Sequence, residues 1–301
     1  MTSISDVSFP EERFEGLPAH REIATRAAEL LAADPRVVGL YLLGSFANGI
    51  PDRYSDIDLY VVLEPGTREQ VMAEHRRSLI HHVGDVGTMF PATHLGHPNQ
   101  LVVFYEAAIP IHVDYQYQES GELLPTANGR DAVLMLDRTG DLEAWKEACA
   151  NVADEDDSAT ADRLQYIEDR FWGWCWYAFS RIERGELWEA RDAIEYIRTN
   201  VLVLLATVVA GLREYEGARR LERKFPGEIL DRLRETLPTF HSPAAYHRAL
   251  ASTVEAYLHL FASLPEKLRD RVIRADRDYF LSFLRGDQPS GGQPRNRHLV
   301  P

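Results

Sequence analysis

Two aspartates, Asp56 and Asp58, stand one residue apart in a stretch that otherwise has the pattern of a buried strand. Alternate side chains of a strand share a face, so the two carboxylates would lie side by side, about 6.5–7 Å apart at the backbone. Burying an ionised carboxylate without compensation is costly, and Mg²⁺ prefers oxygen ligands. The pair is therefore predicted to hold a divalent cation; the alternative is a solvated strand face.

A third aspartate, Asp114, interrupts a later apolar strand pattern, in which Val113 and Tyr115 would face the opposite way. If this strand pairs beside the first, three carboxylates converge. Such a set is the minimum that we expect to hold two Mg²⁺ ions about 3.5–4 Å apart, an arrangement that serves in-line displacement at phosphorus. The alternative for Asp114 is an exposed acid on an edge strand.

The dipeptide Gly44-Ser45 ends the strand pattern that precedes the paired acids. Backbone N–H groups at a turn from strand to helix point outward and suit a phosphate group. The sequence thus predicts a phosphate site beside a metal site, although a tight turn alone would also favour Gly44. Arg53, in the loop before the acids, is either a phosphate contact or a surface arginine.

The elements that must position these residues follow from hydrophobic periodicity. Helical spacing predicts helices over 18–33 and 67–80, and apolar runs predict five strands, at 37–43, 56–63, 101–106, 109–116 and 132–137. Residues 151–162 are acidic and unpatterned, which predicts a linker. Beyond them only helical patterns occur, over 164–182, 187–208, 226–236, 243–263 and 265–284.

This layout predicts an α+β fold in two domains. An N-terminal α/β domain with a mixed sheet would span residues 1–150, and a C-terminal helical bundle domain would span 151–285. The final segment, 286–301, is rich in Gly, Pro and polar residues and is predicted to be disordered.

Composition narrows the class of partner. The net charge of −14 argues against a protein that grips nucleic acid, because backbone affinity comes largely from Lys and Arg, and it favours a cationic substrate. The chain has only two cysteines, no apolar run long enough to cross a bilayer, and no secretory pattern in its first residues. We therefore expect a cytoplasmic protein without a membrane or nucleic-acid partner.

The motif GSFANG…YSDIDL, in which ten residues separate Ser45 from Asp56, resembles the nucleotidyltransferase superfamily that includes DNA polymerase β. Together with a helical second domain, the motif is most similar to the aminoglycoside and lincosamide adenylyltransferases. The VLMLDRTGDL turn resembles a strand-end segment of the same branch. The specific match covers residues 42–62, and Asp114 extends it.

The resemblance implies roles for the motif residues. Gly44 and Ser45 would contact the β- and γ-phosphates of a nucleotide, and Asp56 and Asp58 would ligate both Mg²⁺ and the triphosphate. Asp114 would complete the second metal site and help to deprotonate the acceptor. The implied chemistry is attack of a hydroxyl on the α-phosphorus of ATP, with pyrophosphate leaving.

The helical half offers two further candidates. Glu168 is the candidate general base, since some antibiotic nucleotidyltransferases place a glutamate in this half. The alternative is that the aromatic residues on its helix face belong to the core and do not line a pocket. Arg198 is the candidate contact to the triphosphate, with a solvated salt bridge as the alternative.

Together these observations predict Mg²⁺-dependent transfer of AMP from ATP to a hydroxyl of a small molecule such as an aminoglycoside antibiotic. One alternative is a nucleotidyltransferase that modifies a protein or RNA, as the antitoxin-like members do. The other is a catalytically silent, nucleotide-binding regulatory protein.

Overall fold

A computed structural model of the protein describes residues 7–152, 157–212, 215, 217–274, 278, 280 and 281. The chain divides between residues 153 and 154 into two compact units. Among the described helices, none is both long and apolar enough to cross a membrane.

The first unit is built on a six-stranded sheet. Its strands are β1 (Val37–Leu43), β2 (Ile57–Leu63), β3 (Val86–Ala92), β4 (His97–Tyr105), β5 (Ile111–Glu119) and β6 (Val133–Asp137). They lie in the order β3-β4-β5-β2-β1-β6. The β2–β5 pair is parallel and the other pairs are antiparallel, so the predicted mixed sheet of an α+β fold is confirmed.

One face of this sheet carries the main core of the unit. The helices of the unit are α1 (Pro18–Ala32), α2 (Gly44–Ala47), α3 (Arg68–Glu74), α4 (Ile80–Val83) and α5 (Asp141–Ala150). Leu31 of α1 and Val71 of α3 pack in this core with Ile57 of β2 and Val113 of β5. Odd-numbered residues of β2 and β5 are therefore committed to the core, which leaves the even-numbered ones on the opposite face.

A smaller cluster covers part of the opposite face. Tyr41 of β1 and Val62 of β2 pack there with Leu142 and Trp145 of α5. The Tyr41 and Trp145 rings lie 4.9 Å apart between centroids. On β2 and β5, Asp58 and Asp114 share this face and are half-buried.

The sequence analysis placed the strands well except for β3, which it missed. The stretch VGTMFPA contains glycine and proline and most of its residues are exposed or half-buried, as befits a strand at the edge of the sheet. Without an alternating apolar pattern, its pairing with β4 is not visible from the sequence.

The second unit is helical in its described part. Its helices are α6 (Asp157–Glu183), α7 (Leu187–Ile197), α8 (Val203–Val209), α9 (Leu221–Lys224), α10 (Gly227–Glu235), α11 (Pro243–Ala262) and α12 (Glu266–Arg269). A π-helical turn, Arg198–Leu202, joins α7 to α8. Phe171 of α6 and Tyr257 of α11 stack at 3.6 Å between ring centroids in the centre of this unit.

Two expectations for this unit need correction. The predicted linker 151–162 contains the start of α6, because Asp157 stands in the first turn, where a negative charge favours the helix dipole. The segment predicted as one helix over 265–284 is helical at Glu266–Arg269, is not helical over 270–274, and is helical again at 278, 280 and 281. Within the rest of that range, residues 275–277, 279 and 282–284 lie outside the described residues, as does the predicted tail 286–301.

Candidate active site

The parallel pairing of β2 and β5 brings the predicted acids together. Asp58 is the direct register partner of Asp114, and both side chains lie on the face opposite the main core. Asp56 precedes the first residue of β2 and is also half-buried. The sheet therefore gathers three carboxylates from two segments that are distant in sequence.

A histidine joins this group that the sequence analysis did not consider. His112 lies two residues before Asp114 on β5, and its Nε2 atom is 3.0 Å from Asp114 Oδ1. One ligand atom from each of Asp56, His112 and Asp114 lies within 4.8 Å of the others. The available signal was the spacing: a residue at i−2 on a strand must share a face with the predicted ligand.

The charges of the site act on His112. Burial alone lowers the pKa of this imidazole, but the hydrogen bond to Asp114 and the charges of Asp114, Asp56 and Asp58 raise it overall. The pKa of Tyr60, the next residue on this face of β2, is raised by burial and then by Asp58 and Asp114. The raised pKa of His112, against the effect of its burial, indicates a site with excess negative charge, which suits cations.

Gly44 lies in close contact with Asp58. Its backbone has a φ of +64°, in the left-handed region that favours glycine. A Cβ atom at Gly44 would stand 1.9 Å from Asp58 Oδ2, which no real contact allows. The glycine thus serves two purposes: it ends β1 at α2, and it leaves room for the carboxylate.

Ser45 follows at the start of α2 and is almost fully buried, with 3% of its surface exposed. Its Oγ atom has no hydrogen-bond partner among the described residues. A buried hydroxyl is normally paired, so this orphaned group beside Gly44 is consistent with a ligand that completes its hydrogen bonding.

The loop before Asp56 is held from behind by α1. His20 Nε2 donates to the carbonyl oxygen of Ser55 at 3.1 Å, and both residues are buried. Burial lowers the pKa of His20, although the bond to Ser55 and the charge of Asp52 oppose it. Ser55 Oγ in turn accepts from the backbone N–H of Asp52 at 2.9 Å. His20 is therefore a positioning residue for the segment that carries Asp56.

Arg53 lies on the exposed turn of the same loop. Its guanidinium sits 4.7 Å from the centroid of the Tyr54 ring, and both residues are exposed. This exposed position fits the surface alternative, and the contact of Arg53 with phosphate stays a prediction.

Glu168 lies in the helical core of the second unit, and its side chain is fully buried. Its carboxylate accepts from the Tyr257 hydroxyl and, at 2.9 Å, from Arg274. A general base needs a lone pair that reaches the substrate. These contacts favour a structural role in the core, and the role of Glu168 as general base stays a prediction.

Arg198 is also buried, in the π-helical turn after α7. It donates from Nε to Thr236 Oγ1 at 2.6 Å, from Nη2 to the Thr236 carbonyl at 2.8 Å, and from Nη1 to Glu195. Burial lowers the pKa of this guanidinium against the effect of Glu195. These bonds connect α7 to the end of α10, and the contact of Arg198 with the triphosphate stays a prediction.

A comparison with models of known protein families found a match within the first unit. Residues 21–91 match the family model of the nucleotidyltransferase domain, a range that includes Gly44, Ser45, Asp56 and Asp58. Among solved structures, a nucleotidyltransferase-like protein from Exiguobacterium sibiricum is similar at 12% identity and a TM-score of 0.35, over 83% of this chain and 78% of that one. No curated protein matches. The match over residues 21–91 by itself supports a nucleotidyltransferase domain within the first unit, and the reaction class that it supports is nucleotidyl transfer.

Proposed function

We propose that the protein transfers AMP from ATP to a hydroxyl group of a small molecule, with Mg²⁺ and release of pyrophosphate. The observation that carries the proposal is the direct register of Asp58 with Asp114, beside Gly44 and Ser45. Acids on neighbouring strands, next to a turn with an orphaned buried hydroxyl, are what a metal–triphosphate complex requires.

The residues present fit divalent cations. Asp56, Asp58 and Asp114 supply carboxylate oxygens, and the missing Cβ of Gly44 leaves space next to Asp58. Asp56, Asp58 and Asp114 would hold the ions, and Gly44 and Ser45 would contact the β- and γ-phosphates. When bound, such ions neutralise the negative charge that develops on the transferring phosphoryl group.

The chain's own residues supply position and a proton acceptor. The acceptor oxygen forms a bond to the α-phosphorus, the bond from that phosphorus to the bridging oxygen breaks, and pyrophosphate leaves with the electron pair. Asp114 takes the proton of the attacking hydroxyl. No covalent enzyme intermediate is required, because alignment and charge neutralisation provide the catalysis.

The acceptor that we propose is small, hydroxylated and cationic, with aminoglycosides as the first class to test. The net charge of −14 favours approach of a cation and disfavours nucleic acid.

Incubation with ATP, Mg²⁺ and a panel of hydroxylated acceptors, with pyrophosphate as the readout, tests the proposal. The double variant Asp56→Asn and Asp58→Asn should abolish release, whereas Asp85→Asn, which removes an exposed acid of the same unit, should not. Full turnover in the double variant would refute the mechanism. Label from [α-³²P]ATP that enters protein or RNA would instead favour the macromolecular alternative, and tight ATP binding without pyrophosphate would favour a silent regulator.

A further inference from the structure

The imidazole of His112 is a metal-binding group beyond the three carboxylates. One nitrogen of this ring and one oxygen each from Asp56 and Asp114 lie within 4.8 Å of one another. Two donors on opposite sides of an ion, with bonds of about 2.1 Å, are about 4.2 Å apart. Small side-chain rotations therefore bring all three donors to one ion.

The sheet holds the imidazole in place for this role. Phe104 of β4 is the register partner of His112, and the two rings stack with centroids 4.4 Å apart and planes 12° from parallel. The stack fixes the plane of the ring, and Nε2 is the atom that faces Asp114. The nitrogen donor is thus positioned by packing that does not depend on the ion.

We propose that His112 is a ligand of a divalent ion held by Asp56 and Asp114, and that this mixed set raises the affinity for a first-row transition-metal ion more than the affinity for Mg²⁺. Mg²⁺ demands oxygen donors and gives up its waters reluctantly, whereas transition-metal ions accept imidazole nitrogen. Asp58, which lies against Gly44 and outside the three-donor group, is left for the second ion, on the nucleotide side of the site. The role of the ion in the reaction rests on the proposed function, whereas binding of the ion by His112 does not depend on it.

Mn²⁺ is the probe, because it is paramagnetic and binds most weakly in the first-row series. Pulsed electron paramagnetic resonance of Mn²⁺ added to the nucleotide-free full chain should show ¹⁴N modulation from a directly bound imidazole. His112→Gln should remove this modulation and weaken Mn²⁺ binding at least about tenfold. His97→Gln, at an exposed position where β4 begins, should leave both unchanged. Mg²⁺ affinity, measured by competition, should fall far less in His112→Gln than Mn²⁺ affinity does.

Absence of nitrogen modulation in the wild type, or its persistence in His112→Gln, would overturn the inference. Wild-type protein labelled with ¹⁵N-histidine gives a check that needs no substitution, since the modulation must change to the ¹⁵N pattern. If nitrogen modulation is seen but no acceptor yields pyrophosphate, His112 is a metal ligand and the proposed function is wrong. If pyrophosphate is released but no nitrogen modulation is seen, the proposed function is supported and His112 is not a metal ligand.

Discussion

Replacing Gly44 with alanine changes the backbone strain and the position of Asp58 at once. At a φ of +64° an L residue costs about 1–2 kcal/mol, which for a unit of this size lowers the melting temperature by about 2–8 °C. The new methyl group would meet Asp58 Oδ2 at 1.9 Å, so the carboxylate must move by more than 1 Å. A misplacement of about 1 Å in a reacting constellation reduces turnover by about 10²-fold.

A second glycine separates these two effects. Gly66 also has a positive φ, of +76°, but a Cβ atom there would meet nothing within 4 Å. Gly66→Ala should therefore lose stability as Gly44→Ala does, while it keeps ATP affinity and pyrophosphate release. The assays are thermal melting, ATP binding by calorimetry, and pyrophosphate release in the presence of Mg²⁺. If both variants lose stability equally and Gly44→Ala keeps full affinity and turnover, the assignment of this turn to the nucleotide site is refuted.

Three further predictions concern residues that hold the fold or the site. His20→Leu removes the donor to the buried Ser55 carbonyl, so thermal melts should show a loss of about 1–3 kcal/mol together with weaker ATP binding. The pKa of Asp34 is lowered to about 2, because hydrogen bonds from Arg36 and His75 outweigh burial. In the unfolded chain this carboxylate binds a proton near its ordinary pKa of about 3.9. The free energy of unfolding, measured by urea titration, should therefore fall as the pH drops from about 4 to about 2. Glu168→Gln should lower the melting temperature, since it removes a buried charge that pairs with Arg274, and should leave pyrophosphate release per folded molecule unchanged.

Each of these has a result that would contradict it. A His20→Leu protein with wild-type stability would show that the loop before Asp56 is held by other contacts. Asp34→Asn should reduce the fall in the free energy of unfolding between about pH 4 and pH 2. If the fall is unchanged, other groups cause the pH dependence. A Glu168→Gln protein that melts at the wild-type temperature but releases no pyrophosphate would support Glu168 as the general base.

The strands that could be predicted from the sequence are those whose apolar pattern matches the face that they turn to the core. β1 was predicted with its observed ends, and β2 and β5 within two or three residues, because their core-facing residues are apolar. The acids stood out because they interrupt that pattern. Their meeting in register could be expected only from the resemblance, since no local signal specifies which strands pair in parallel.

The rest depended on packing that a sequence does not display. His112 has no distinctive spacing to another histidine or cysteine. Only its position two residues before Asp114 pointed to the site, and the Phe104 ring that holds it across the sheet is visible only in the structure. Glu168 and Arg198 carry charge and therefore suggested solvent or ligand, but their partners Tyr257 and Thr236 lie far along the chain. Buried charges are satisfied by distant residues, and such pairs are visible only in three dimensions.

The parallel join between β2 and β5 also sets which changes of chain length the molecule can accept. Connecting segments between the two strands can grow or shrink, since loop closure depends only weakly on length. Inside β5, one inserted or deleted residue would reverse the parity of the strand, burying Asp114 among apolar side chains and turning Tyr115 outward. Natural variants of this protein should therefore differ in length around residues 106–110 but keep an odd number of residues from Ile111 to Tyr115.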